Sequence, residues 1–353
     1  MAYSAIIKPS DYFDTKLYTG TGSSNAQTGL GFQPDMVWLK NRGATSNHFL
    51  NDVLRGITKE LRPNLSNSQA DDNQLLTSLN SDGFTLGTSG SANTNGNTYV
   101  AWNWKANGAG SSNTNGSINT LYTSANTTSG FSISTYTGVG DVGSRTFGHG
   151  LTKAPEIVMI KNLTANENWV VGTNYTHPTL PWKYKLTLDN NNARTESGAY
   201  FADTAPTNSL VTIEGNAGVN GSGNTLVAYC FHSVSGFSKM GSYVGNGNAD
   251  GTFVYTGFKP AWILMKDIGR AESWYIYDGK ILGYNGQMGD FLANTTASVG
   301  TNYAIQVDML SNGFKLNTTA SHLNGSGENF IYMAFAESPF VSNVGESLPT
   351  TAR

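Results

Sequence analysis

Apolar positions along the chain fall into short runs, many alternating with polar ones, and clusters of Gly, Asn and Ser bound them. In the run YVAWNW, Tyr99, Ala101 and Asn103 stand against Val100, Trp102 and Trp104, the period-two pattern of a strand with two different faces. Runs of this kind, rich in Val, Ile, Tyr, Phe and Trp, predict an all-β, antiparallel protein. Asp82-Gly83 before Phe84 and Asn312-Gly313 before Phe314 are hairpin-turn pairs that add a further strand. One segment departs from the pattern. Phe49, Leu50, Val53, Leu54, Ile57 and Leu61 recur at helical spacing, which predicts a short helix within residues 49–62, interrupted at Gly56 and stopped before Pro63.

The strand pattern repeats. A strand running into Gly-x-Gly occurs as LYTGTG from Leu17, TYTGVG from Thr135 and SYVGNG from Ser242. A Pro leading an apolar strand that closes on Lys follows each time, Pro34 to Lys40, Pro155 to Lys161 and Pro260 to Lys266, with a gap of six residues in every copy. A Gly-rich turn then feeds a last aromatic strand: GNTYVAWNW from Gly96, GNTLVAYCF from Gly223 and GENFIYMAFAE from Gly327. Solenoid units are only about 20 to 50 residues long. Copies more than twice that size predict three whole domains, each a two-sheet antiparallel β-sandwich of jelly-roll kind.

Composition sets the boundaries. Repeat 1 is expected over residues 1–108, repeat 2 over 131–237 and repeat 3 over 238–341, with a frayed or partner-bound tail over 342–353. Residues 109–130 are almost all small and polar, which predicts an extended linker and a hinge after repeat 1. Repeats 2 and 3 have no such spacer and are expected to be fixed together.

Charge narrows the partners. Charged residues are 13% of the chain, about half of the roughly 25% usual in soluble domains, so Asn, Ser, Thr and Gly must supply the polar surface. The net charge of −3 arises from scattered residues without runs, which argues against nucleic acid or an anionic membrane. The apolar runs are far short of the roughly 20 residues that span a bilayer. The start, MAYSAIIKPSDYF, lacks the basic and apolar regions of a secretory signal, and the single cysteine, Cys230, reads as a buried strand residue. Together these fit a protein made in a reducing cytoplasm.

Several segments carry a resemblance: KPSDYFDT, PDMVWLKNR followed by NHFLNDVLRGITK, DGFTL with YVAWNWKANG, and above all SNGFKL with IYMAFAESPFV. The chain resembles, from Ala2 to Val341, a family of bacteriophage proteins abundant in marine viruses, described as tail-fibre-like or of unknown function and built from concanavalin-type or laminin-G-type β-sandwiches. The resemblance implies a virion component that meets the host surface, and carries over no catalytic residues.

The residues themselves offer little catalytic chemistry. His48, His149, His177, His232 and His322 show no metal spacing. Asp71, Asp72 and Asn73 lack a calcium-loop pattern. A glycosidase would need two opposed carboxylates about 5 to 9.5 Å apart; Asp189, Glu196 and Asp203 lie close in sequence, but without counterparts placed alike in the other copies. No enzyme, metal or cofactor is expected. Binding is the better class. Trp169, Tyr175, Trp182 and Tyr184 in the middle of repeat 2, and Trp274, Tyr275, Tyr277 and Tyr284 in repeat 3, are candidate glycan contacts. The alternation of Trp274 and Ile276 against Tyr275 and Tyr277 fits core packing equally. Trp38, Trp102, Trp104 and Trp262 belong to the repeated strands and are expected in the core. Expected partners are other virion proteins, a host-surface glycan and further copies of the chain as a trimer. A capsid decoration or tail scaffold with protein contacts alone is the alternative.

Overall fold

The computed structural model describes residues 6–140, 143–281, 289–300 and 306–339. The protein is all-β with antiparallel sheets, and each repeat contributes a larger sheet and a smaller one. In repeat 1 the larger sheet runs Phe13–Thr19, Thr98–Trp104, Met36–Asn41, His48–Asp52. Repeat 3 reproduces that order with Ser238–Val244, Asn329–Pro339, Phe258–Asp267 and Trp274–Asp278, then adds Asp290–Leu292. In repeat 2 the equivalent four are Phe131–Thr137, Thr225–Phe231, Ile157–Asn162 and Val170–Thr173, with Tyr184–Thr187 and Thr195–Glu196 beyond them.

Period-two alternation sends each large sheet's side chains to two cores. Met36 and Trp38, Ile157 and Met159, and Trp262 and Leu264 all enter one core common to the three repeats. Their neighbours Val37 and Leu39, Val158 and Ile160, and Ile263 and Met265 enter a separate outer core in each repeat. The smaller sheets close those outer cores, with Phe84 from repeat 1, Val211 from repeat 2 and Phe314 from repeat 3. The near-continuous apolar runs around the repeated lysines are thus strands buried on both faces. In the common core Trp262 meets Trp104 edge-on at 5.6 Å and Trp102 at 6.2 Å, and Phe335 reaches Trp104 at 5.7 Å and Phe231 at 6.1 Å. Rings from all three repeats therefore touch, and each fully buried large side chain adds roughly 1.5–3 kcal/mol.

The Gly-x-Gly landmark has one physical cause in three places. Asn93, Asn220 and Asn324 end single helical turns and are fully buried, and their Oδ1 atoms accept the backbone N–H of the middle turn residues Thr21, Val139 and Asn246 at 2.8, 2.9 and 3.0 Å. The first glycine of each turn lies so close to the facing chain that a Cβ would sit 2.1 Å from Thr94 O, 2.3 Å from Gly221 O or 2.3 Å from Gly325 O. Only glycine fits.

Two expectations are overturned. Residues 49–62 form no helix: His48–Asp52 is a strand paired with Met36–Asn41, its apolar residues alternating between Phe49 in the outer core and Leu50 in the common one. The apparent helical spacing came from joining this strand to the turn that follows, where Asp52 Oδ1 accepts from Leu54 N and Arg55 N. Residues 109–130 are likewise no bare linker, because Thr120–Asn126 pairs with Phe131–Thr137 as an extra edge strand of repeat 2. Hydroxyls replace apolar side chains there: Thr123 Oγ1 bonds Thr120 Oγ1 at 2.9 Å and Ser134 Oγ at 3.0 Å, and Asn107 N donates to Ser124 Oγ. A hinge after repeat 1 does not fit a core that repeat 1 shares with the other two.

Candidate functional site

The recurring lysines are joints between repeats. Lys40, Lys161 and Lys266 are fully buried. Lys40 Nζ donates to Ser46 O at 2.5 Å and to Thr296 O of repeat 3 at 3.0 Å. Lys161 Nζ donates to Glu167 O and to Ser66 O of repeat 1 at 2.9 Å. Lys266 Nζ donates to Asp267 O at 2.5 Å, Arg270 O at 3.2 Å and Asn191 O of repeat 2 at 3.5 Å. Repeats 2 and 3 thus each grip the preceding repeat, repeat 1 grips repeat 3, and the three grips close a ring. Burial pushes all three ammonium groups down to about 8.

A second ring lies beside the first. His48, Trp169 and Trp274 each stand eight residues after the joint lysine. Trp169 Nε1 donates to Arg62 O of repeat 1 at 3.0 Å, and Trp274 Nε1 to Thr187 O of repeat 2 at 2.7 Å. His48 Nε2 bonds Leu292 O of repeat 3 at 3.2 Å, while His48 Nδ1 accepts from Trp38 Nε1 at 2.9 Å, which fixes the proton on Nε2. Burial, aided by Lys40, holds that imidazole well below its ordinary range, so it is neutral. Backbone N–H groups of the three residues donate to Asn64, Asp189 and Asn294 Oδ1 at 2.9, 2.9 and 3.0 Å. Asp189, expected to have no counterpart, is therefore one of three equivalent strand-start acceptors.

The predicted glycan contacts divide by burial. Trp169, Trp182, Trp274 and Tyr277 are all 2% exposed or less. Trp182 Nε1 donates to Asn174 Oδ1 at 2.7 Å, and its ring meets Phe201 edge-on at 5.1 Å. Tyr277 Oη donates to Gln306 Oε1 at 2.7 Å. Tyr175 packs on the common core and donates to Glu156 Oε1 at 2.6 Å. These five side chains are packing groups, which the alternation in repeat 3 had allowed. Tyr184 and Tyr275 are partly exposed: Tyr184 stacks on His177 at 5.2 Å beneath the Arg194 guanidinium, and Tyr275 stacks on His322 at 4.7 Å. Among the described residues the structure does not bring these two together with the other five into one cluster. Tyr284 lies outside the described residues.

Carboxylates are committed in a similar way. Glu196 pairs with Lys183 at 2.8 Å, Asp71 with Lys59 at 2.6 Å, and Asp72 accepts from Ser89 Oγ at 2.6 Å. Among the described residues no group of three His, Cys, Asp or Glu side chains is placed to hold a metal ion.

An open concavity lies between repeats 1 and 2. A cleft of about 270 Å³ lies between Leu54, Arg55 and Gln69 on one side and Tyr122, Thr164 and Thr225 on the other. Arg55 forms its back wall: its Nε donates to Asp52 Oδ2 at 2.5 Å, and Nη1 to Lys59 O and Gln69 Oε1. Tyr122 belongs to the extra edge strand and is 53% exposed. Sequence reading missed this cleft because it assigned that strand to a linker and Arg55 to a helix.

Residues 8–339 match one family model, described as a domain of unknown function (DUF7483). No curated protein matches the chain.

Proposed function

The chain belongs to this family of a domain of unknown function over all three repeats together, and from that premise we propose that it is a non-enzymatic structural protein of a bacteriophage particle, on a tail fibre, tip or other exposed surface, that contributes to binding a host-surface glycan. The observation that carries the reading is where the recurring chemistry goes. The recurring lysines and tryptophans are committed to joints between repeats, and the recurring strand-start acceptors to backbone N–H groups within their own repeats. What remains outside is a weakly charged surface of Asn, Ser, Thr and Gly with a few exposed rings, suited to recognition without a reaction.

In this reading each pair of sheets around an outer core is a jelly-roll-like sandwich. The expected trimer of chains has a counterpart within one chain, whose three repeats close a ring through heterologous contacts. The phage assignment rests on the likeness of the segments quoted above, and the charge balance of −3 agrees with partners other than nucleic acid or membrane.

A second reading, a capsid decoration or tail scaffold touching only other virion proteins, is favoured by one observation. Phe253 and Tyr255 are 44% and 57% exposed side by side on an edge strand of repeat 3. Their counterparts in register are Ala26 and Thr28 in repeat 1 and Thr146 and Gly148 in repeat 2. A polysaccharide depolymerase is the weakest alternative.

Adsorption of the purified chain to intact host cells, with a glycan array in parallel, tests the choice. Saturable binding that free glycan competes away supports the glycan reading. Absence of cell binding, with capture of virion proteins that Tyr255→Ala abolishes, replaces it with the scaffold.

A further inference from the structure

In a chain of three like repeats, whatever the fold requires is present three times, so a feature present once asks for another cause. The extra edge strand Thr120–Asn126 is such a feature: among the described residues the large sheets of repeats 1 and 3 start at the equivalents of Phe131–Thr137. Its register places Tyr122 opposite Thr135, which lies opposite Val227 of the common core. Tyr122 therefore continues the inward face of the sheet past the edge of the core, over the cleft that faces Arg55 and Gln69.

We propose that this cleft is a saccharide subsite that takes a single uncharged pyranose ring; the proposal rests on the glycan-binding reading above and gives it an address. Size is the first argument. A space of about 270 Å³ falls just below the roughly 300–1,000 Å³ of sites that enclose drug-sized ligands, which suits one ring and not a chain of them.

Chemistry is the second argument. Leu54 and Tyr122 offer apolar surface to the C–H face of a ring, and Gln69, Thr164 and Thr225 offer amide and hydroxyl groups to its hydroxyls. Electrostatics then selects against an anion. The Arg55 guanidinium has its charge matched by Asp52 at 2.5 Å, and its nitrogens donate to Lys59 O, Leu50 O and Gln69 Oε1. Arg55 thus stiffens the wall and fixes the Gln69 amide oxygen toward itself, which leaves the Gln69 amide N–H₂ as the donor for a sugar hydroxyl. Gln69 is held from behind too, because its backbone N–H donates to Leu163 O of repeat 2 at 3.1 Å. The site spans the junction of two repeats, where a preformed cleft needs no rearrangement to bind.

The test uses the full chain and methyl pyranosides of the gluco, galacto, manno and N-acetylglucosamine series, followed by saturation-transfer NMR, with the glycan array and cell adsorption run on the same samples. At least one pyranoside is expected to receive saturation, with Tyr122→Ala and Gln69→Ala each weakening it roughly tenfold, the scale of losing one central contact, and Tyr122→Phe retaining it. Tyr122 is exposed and Gln69 partly exposed, and an unchanged melting temperature verifies the fold of each variant. If array or cell binding persists undiminished in Tyr122→Ala, the cleft is the wrong address although the chain still binds glycan. If wild type binds neither pyranosides nor cells, the glycan reading itself falls, and this subsite with it.

Discussion

Tyr229 of repeat 2 donates its phenol to Asp52 of repeat 1 at 2.6 Å, both side chains buried in the common core. The same place in the ring is filled differently at the other junctions. Trp102 of repeat 1 donates its indole N–H to Asp278 of repeat 3 at 2.8 Å. Met333 of repeat 3, equivalent in register to Trp102 and Tyr229, has nothing to donate, and the residue of repeat 2 equivalent to Asp52 and Asp278 is Thr173. A carboxylate stands where an aromatic donor faces it and a neutral residue where none does, as the cost of an unpartnered buried charge requires.

Breaking the Tyr229–Asp52 pair from its two ends should cost unequal amounts. Tyr229→Phe leaves Asp52 its Arg55 partner and should destabilise by about 1–3 kcal/mol. Asp52→Ala strands Arg55, whose side chain is 1% exposed, and should cost about 3–5 kcal/mol. Urea denaturation of both single variants and the double variant checks this. The double variant should lose less than the sum, and strict additivity would refute the coupling.

The buried lysines predict stability that rises with pH on the alkaline side. Burial lowers Lys40, Lys161 and Lys266 to about 8, whereas the unfolded side chain titrates near 10.5. Between those values the unfolded chain binds more protons, so unfolding free energy increases as pH climbs from about 8 toward 10. Cys230, whose thiol burial pushes up to about 12, opposes this as one group against three. Above pH 10 the buried Tyr18, Tyr136, Tyr229 and Tyr243, all held well above their ordinary range by burial, reverse the trend. Denaturation midpoints at successive pH values should peak near pH 10, and Lys161→Met should flatten the rise by about a third. A flat profile would show that the carbonyl ligands hold these ammonium groups charged throughout.

Much of this ring was legible in the sequence without being understood there. The constant Pro-to-Lys gap marked the joint lysines, and the constant eight-residue step onward would have marked His48 as the counterpart of Trp169 and Trp274. The aromatic residues between the landmarks looked like loop chemistry because the reading treated each repeat as closed on itself. Trp169 and Trp274 instead fill the junction with the preceding repeat, and no pattern within a single repeat reveals a partner supplied by another. Strand Thr120–Asn126 was invisible for a different reason: an edge strand held by backbone pairing and hydroxyl bonds has the composition of a linker.

Acid should weaken the fold through its histidines. Burial holds His48 well below the ordinary imidazole range and His149 at about 4. Their unfolded values lie near 6.5, so the unfolded chain binds more protons between pH 6.5 and 4, and stability falls as pH drops through that window. His48→Gln keeps a donor toward Leu292 O and an acceptor for Trp38 and should remove part of the acid sensitivity, read as a smaller drop in melting temperature from pH 7 to pH 4.5. An unchanged drop would assign the sensitivity elsewhere.

The glycine turns separate steric from entropic effects. Gly138→Ala places a Cβ 2.3 Å from Gly221 O, so one backbone must move and the Val139 bond to buried Asn220 is disturbed. A loss of at least roughly 3 kcal/mol is expected, in the range reserved for a named core or backbone defect. Gly90→Ala is the control: it is exposed in a helical turn, its new Cβ meets only Thr94 Oγ1 at 3.5 Å, and it should be neutral or stabilising by about 0.5–1 kcal/mol. Equal losses in circular-dichroism melts of the two variants would rule out the steric account.

Sharing of one core by three repeats has a consequence for cooperativity. Independent sandwiches joined by a hinge would unfold in steps, and a chain of this length ordinarily does so. Here removing any repeat exposes tryptophans of the others: Trp262 loses Trp102 and Trp104 if repeat 1 leaves, and Trp169 loses its acceptor Arg62 O. Calorimetry should therefore give a single transition whose van't Hoff and calorimetric enthalpies agree, on a particle with the mass of one chain. Limited proteolysis should spare residues 109–130 under native conditions, because that segment is bonded into repeat 2. Separate transitions, or a first cut within 109–130 that releases a folded repeat 1, would mean that the common core is not the unit that holds the protein together.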